Sequence, residues 1–233
     1  PGISVLQADK TFITLAAGTQ NVLTDGAAYV LADGEDEPYA TLYSKDDLTI
    51  NGSGTLTVNA NYRHGIACKD DLVITGGTFR ITAVEDAIRG NDSVRIAGGS
   101  FILDAGSDGI YSNNDEEADR GYAYITDGDF AITSGNKAIK AAHYIRIDGG
   151  DFELTSDDDA IHCDTDIVIN NGNFTINAGD DAIHAEYVLT VNDGEILITA
   201  SYEGLEAEKV YFNGGTAHVT ATDDALNAAT ADA

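Results

Sequence analysis

The sequence predicts an all-β, right-handed parallel β-helix with three strands per coil of about 22 residues. Three observations predict it. First, the units "DDAIHCD" (Asp158 to Asp164) and "DDAIHAE" (Asp180 to Glu186) recur 22 residues apart. Second, aligning on them places His64, Asp86, Asp108, Lys137, Asp159, Asp181, Glu203 and Asp224 at one position, spaced 22, 22, 29, 22, 22, 22 and 21 residues apart. A fixed period of this length signals a solenoid. Third, each unit divides into short runs of alternating apolar residues separated by Gly, Asn and Asp, the chemistry of strands and turns.

Within each unit the first strand is X-Ala/Gly-Ile-X, as from Asp159 to His162. The second is a run such as Ile167 to Ile169, closed by Gly-Gly, Asn-Gly or Asp-Gly. The third is "TFRIT", "SFILD", "DFAIT", "DFELT" or "NFTIN". The long interval holds a seven-residue insertion within "YSNNDEEADRGYAYI", read as a loop. Inward positions then form ladders. Phe79, Phe101, Phe130, Phe152 and Phe174 make one. Ile74, Ile96, Ile125, Ile147, Ile169 and Val191 make a second, and Ile66, Ile88, Ile110, Ile139, Ile161 and Ile183 a third. Residues 1–38 match the period poorly and are expected to form a cap and opening coil; 39–233 form the helix, all as one domain. The chain ends partway into a coil, where a natural protein would continue.

Cys68 and Cys163 share one inward, small-residue position four coils apart, ~19 Å at ~4.8 Å per coil. A disulfide needs Cα atoms within roughly 7 Å. Two free, buried thiols are therefore expected.

The chain carries 40 acids against 12 Lys and Arg, a formal charge of −28. This excludes nucleic acid as a partner. No apolar run is long enough to span a membrane. The composition suits a secreted or cell-surface bacterial protein, expected as a monomer.

The acids stack at the corner leading into the first strand. Stacked carboxylates repel and raise one another's pKa unless a cation lies between them. Lys137 breaks the pattern, and its ammonium is expected as a counterion between Asp108 and Asp159. Elsewhere the hard, oxygen-rich set suits Ca²⁺. Its expected ligands are Asp158, Asp159, Asp180 and Asp181, then Glu203, Asp223 and Asp224. The plainer reading is a solvated corner with Asp chosen for turn geometry.

The outward position after the Ile forms a row of Arg89, Tyr111, Lys140, His162, His184, Glu206 and Asn227. Beside it, Ala87, Gly109, Ala138, Ala160, Ala182, Gly204 and Ala225 are expected to leave a shallow trough suited to an extended polymer. Arg89, Tyr111, Lys140, His162, His184 and Glu206 are the expected ligand-binding residues. The two histidines also suggest zinc, but the surrounding oxygens favour hydrogen bonding to a ligand or to the acids.

The units "DDAIHCD" and "DDAIHAE", the "GGTF" and "GGSF" turns, "SYEGLEAEKVYFNGGT" and "TATDDALNAA" resemble a bacterial carbohydrate-binding family of secreted β-helices related to pectate and other polysaccharide lyases. The resemblance runs from Leu42 to the C-terminus. It implies calcium on the paired acids, on Glu203 and Glu206 of "SYEGLE" and on Asp223 and Asp224, with attachment to plant cell-wall polysaccharide such as cellulose or pectin. The "KAI" coil at Lys137 departs from the acidic pattern.

Three functions stay open: a calcium-dependent, non-catalytic polysaccharide-binding module; a polysaccharide lyase acting by β-elimination with Lys140 as base; and a calcium-rigidified stalk or adhesin.

Overall fold

In the computed structural model, which describes residues 2–31 and 33–228, every regular element is a β-strand. Among these residues no helix is long and apolar enough to cross a membrane. One coil shows the plan: a short strand Ile161–Cys163, a middle strand Asp166–Ile169 and a long strand Asn173–Ala178, before the next coil begins at Ile183. All pairing is parallel. The long strands form a nine-stranded sheet, and the short and middle strands together form a seventeen-stranded one.

The register follows the period read from the sequence, with Ile161 opposite Ile183, Ile147 opposite Ile169 and Phe152 opposite Phe174. Identical side chains are thereby forced to meet. The five Phe rings stack at 4.6–4.9 Å between centroids and 2–4° between planes. The Ile ladders fill the rest of one continuous core. Before each long strand the chain reverses through a glycine in the left-handed region. Gly150 is an example, at φ 115°, and a Cβ there would also lie 2.8 Å from the Gly128 carbonyl oxygen. Only glycine meets both conditions.

The inserted loop lies between the strands Ile110–Ser112 and Tyr122–Ile125. Asn114 Oδ1 accepts from the Glu116 and Glu117 N–H groups at 3.1 and 3.0 Å, and Arg120 pairs with Asp92 and Glu117. The pairing on either side is unbroken: Tyr111 still faces Lys140, and Ser93 still faces Tyr122.

At the N-terminus, Ile3–Val5, Lys10–Leu15 and Gln20–Thr24 pair with Ala40–Ser44, Asp47–Gly52 and Thr55–Ala60, making a complete coil. Its strands are more exposed than later ones, which is why the pattern is faint there. Tyr39 then packs edge-on against Tyr43 and His64, at 5.0 and 5.4 Å. The chain end, from residue 229, lies outside the described residues.

Both cysteines are free and buried. Burial pushes the Cys68 thiol up to about 12 and the Cys163 thiol up to about 11, so both behave as small apolar fillers.

Candidate functional site

The site is built at the corner where a long strand gives way to the next short strand. There the chain bends, as at residues 157–160, and the N–H of the corner residue cannot join a strand ladder. A buried donor must find a partner. The corner acid of the preceding coil supplies it. The Asp108 N–H donates to Asp86 Oδ1 at 3.2 Å, Lys137 N–H to Asp108 Oδ1 at 3.0 Å, Asp181 N–H to Asp159 Oδ1 at 3.1 Å and Glu203 N–H to Asp181 Oδ1 at 3.0 Å. In the first such coil, His64 Nδ1 accepts from the Asp86 N–H at 3.2 Å. One oxygen of Asp159 and of Asp181 therefore belongs to the scaffold, a role that the sequence alone does not display.

Lys137 differs from expectation. Only its backbone N–H reaches Asp108; its ammonium lies 2.5 Å from Asp158 Oδ2 and 3.6 Å from Asp159 Oδ2. The side chain projects forward to the next coil's two acids, while Asp108 Oδ1 accepts from Lys137 N–H and Asn136 Nδ2.

On the following rungs the positive charge comes from histidine. His162 Nδ1 lies 2.8 Å from Asp159 Oδ2, and its Nε2 lies 2.9 Å from Asp164 Oδ1. Burial would push the His162 pKa down, but these two carboxylates outweigh it and hold the pKa above the ordinary value. His184 Nδ1 faces Asp159 Oδ2 at 3.7 Å, Asp181 Oδ2 at 3.6 Å and Glu206 Oε2 at 3.6 Å, while Nε2 faces Glu186 Oε1 at 3.9 Å. The Asp159 carboxylate first, then Glu206 and Asp181, raise it to about 9. Burial would raise the Asp159 carboxyl, but His162, His184, the Asp181 N–H and Lys137 hold it well below the usual range. Asp181 goes the other way. Burial and the adjacent Glu206 push it up to about 7.

Three groups of donor atoms gather within 4.8 Å: Asp158, Asp159 and Asp180; Asp159, His162 and His184; and Asp181, His184 and Glu206. Glu203 is linked to Glu206 of the last group through Asn227. Its Oε1 accepts from Asn227 Nδ2 at 3.1 Å, the same amide stands 3.4 Å from Glu206 Oε1, and Glu203 Oε2 is buried without a partner. Asp223 and Asp224 are exposed and belong to none of these groups among the described residues. The Asp224 carbonyl, not its carboxylate, bonds the Gly204 N–H at 2.9 Å.

The outward row is in register over its whole length, Arg89 facing Tyr111, then Lys140, His162, His184, Glu206 and Asn227. The Tyr111 ring lies between two cations, with Arg89 Cζ at 5.2 Å and Lys140 Nζ at 5.1 Å. Arg89 is anchored to Asp86 Oδ2 at 2.9 Å and Asn113 Oδ1 at 3.1 Å. The expected trough beside this row is not there. Ala87, Ala138, Ala160 and Ala182 are fully buried in the core, and a Cβ on Gly109 would lie 2.5 Å from Ile132 Cγ2. Strand alternation fails at the bend, so two consecutive residues, Ala160 and Ile161, both face inward.

Sequence reasoning missed the surface concavities on the outer face of the nine-stranded sheet. One of 380 Å³ is lined by Ser100, Ile102, Asp129, Ala131, Glu153 and Thr175 among others. The signal lay in the outward residues between the buried Phe and Leu or Ile of each third strand.

With this geometry in hand, the chain can be set beside known proteins. It is 49% identical over 82 residues to a carbohydrate-binding domain-containing protein of Acetivibrio thermocellus, a match taking in 35% of this chain and 29% of that protein's length. Its fold matches the solved structure of a polysaccharide lyase-like protein from C. thermocellum, a gadolinium derivative, with a TM-score of 0.64 and 38% identity over 81% of this chain and 67% of the other. A family model for carbohydrate-binding domain-containing proteins matches residues 1–204 and again 156–232. The chain belongs to that carbohydrate-binding family.

Proposed function

We propose that the protein is a secreted or cell-surface module that binds plant cell-wall polysaccharide, cellulose or pectin, without cleaving it and in a calcium-dependent way. The observation that carries this reading is the single-file row from Arg89 to Glu206. A straight row one coil apart presents repeating contacts to a repeating chain. Its Tyr111 ring spaces the Arg89 and Lys140 cations along the row, and the half-buried Lys140 makes no ion pair among the described residues. In a molecule of net charge −28, Arg89 and Lys140 are where a uronate carboxylate would be received.

The fit for calcium differs from rung to rung. At Asp158, Asp159 and Asp180 the Lys137 ammonium already supplies a cation. At Asp181, Glu203 and Glu206 the cation in place is His184, whose Nδ1 stands 3.6 Å from both Asp181 Oδ2 and Glu206 Oε2, yet Asp181 is still pushed up to about 7 and Glu203 Oε2 has no partner. These three residues would hold the ion, whose chemistry is charge neutralisation and bridging to ligand oxygens. Arg89, Tyr111 and Lys140 orient the polymer beside it.

The test is retention on insoluble cellulose and on immobilised polygalacturonate, with and without EDTA. Retention that falls on chelation supports the proposal, and no retention on any polysaccharide overturns it. Accumulation of ultraviolet-absorbing unsaturated product, abolished by Lys140→Ala, would replace it with a lyase.

A further inference from the structure

We propose that Asp159, His162 and His184 form a second metal site, selective for a divalent transition metal of the zinc class rather than for calcium. The site does not depend on the polysaccharide reading. Its first support is convergence. Asp159 Oδ2 lies 2.8 Å from His162 Nδ1 and 3.7 Å from His184 Nδ1, and the two rings meet edge to face with centroids 4.9 Å apart. Parallel stacking, which the five Phe rings adopt, would have kept the two Nδ1 atoms pointing alike; the edge-on arrangement turns both toward one carboxylate oxygen.

The second support is the state of His184 Nδ1. Three carboxylate oxygens, from Asp159, Asp181 and Glu206, surround it at 3.7, 3.6 and 3.6 Å. These contacts are too long for hydrogen bonds. The one to Asp159, within the proposed site, matches the spacing between neighbouring ligands around an ion bound at roughly 2.0–2.2 Å, the range for zinc–nitrogen and zinc–oxygen bonds.

The third support lies outside the ring of ligands. His162 turns its other nitrogen to a carboxylate two residues further on, Nε2 to Asp164 Oδ1 at 2.9 Å, whereas the equivalent Glu186 Oε1 stands 3.9 Å from His184 Nε2, beyond hydrogen-bond reach. A carboxylate behind the remote nitrogen is the arrangement that fixes the ring of a metal-bound histidine and strengthens it as a ligand. Lys137 does not fill the site, since its ammonium sits 2.5 Å from Asp158 and only 3.6 Å from Asp159 Oδ2. Two imidazole nitrogens make the donor set softer than calcium prefers and direct it to zinc-class ions.

The experiment is titration of the chelator-stripped chain with Co²⁺ and with Zn²⁺, in millimolar Ca²⁺ and with no polysaccharide present. The expected result is one Co²⁺ per chain, with a visible absorption band that Ca²⁺ does not erase. His162→Gln and His184→Gln should each weaken binding by about tenfold or more. Asp164→Asn leaves all three proposed ligands in place and removes only the exposed carboxylate behind His162 Nε2; it should weaken binding by roughly 10–100-fold, the usual effect of losing such a partner. A His162→Gln/His184→Gln variant that binds Co²⁺ within about threefold of the parent overturns the proposal, as does full displacement by equimolar Ca²⁺. Asp164→Asn keeps the test informative if either histidine variant misfolds.

Discussion

A single carboxylate shows how the corner works. Burial alone would raise the Asp86 pKa, yet His64, Arg89 and the Asp108 N–H together lower it to about 2. A depressed pKa means that stability is present above the unfolded value near 3.9 and is lost as pH falls toward about 2. Asp86→Asn keeps an oxygen for the Asp108 N–H but removes the charge. It should therefore destabilise the protein by about 2 kcal/mol at neutral pH, and the gap between the two proteins should close near pH 2. Denaturant melts across that range check both. Lys137 is the complementary case. Replacing it with Met leaves Asp158 without its cation, while Asp159 keeps His162, and should cost about 1–3 kcal/mol. If its ammonium does the work of an ion, added Ca²⁺ should recover part of that loss, and the variant's Tm should fall on chelation more than the parent's. A variant equally indifferent to Ca²⁺ and EDTA would refute the equivalence.

At the scale of strands and ladders, the core is a repeated solution to one packing problem. Phe130 lies between Phe101 and Phe152 at 4.8 Å on either side. Phe130→Ala should cost roughly 3–5 kcal/mol, measurable by chemical unfolding. Gly109→Ala should also destabilise, since the new methyl would meet the Ala138 carbonyl oxygen at 2.5 Å and Ile132 Cγ2 at 2.5 Å. These ladders were legible in the sequence because a parallel coil brings residue i beside its repeat, so periodicity alone names the partners. The corners were not. The rule that alternate residues face alternate sides assumes an extended strand, and it misplaced Ala160 and its equivalents as a trough. Alignment put Lys137 between Asp108 and Asp159 but carried no information on which way a four-carbon side chain leans. The N–H groups that Asp86, Asp108, Asp159 and Asp181 satisfy belong to the backbone and leave no mark beyond the Asp itself. The convergence of His162 and His184 required ring orientations that no spacing encodes.

For the whole molecule the dominant quantity is the net charge of −28. A polyuronate approaching it meets long-range repulsion before it meets Arg89 and Lys140. Salt screens the first more than the close contacts, with a Debye length of about 10 Å at 0.1 M. Association with polygalacturonate should thus quicken as ionic strength rises from low values, whereas a purely attractive basic row would slow. Stopped-flow association rates decide between them. The loop inserted between Ser112 and Tyr122 adds seven residues yet leaves Tyr111 facing Lys140, and this has a metrical consequence. The row is a ruler whose graduations, ~4.8 Å apart, are indifferent to how much chain is spooled beside them. A polymer whose own repeat differs from that interval by about a tenth slips half a graduation after about five coils. Affinity should then rise with oligosaccharide length only until the two scales fall out of step, and the length at which it levels off measures the mismatch between protein and glycan.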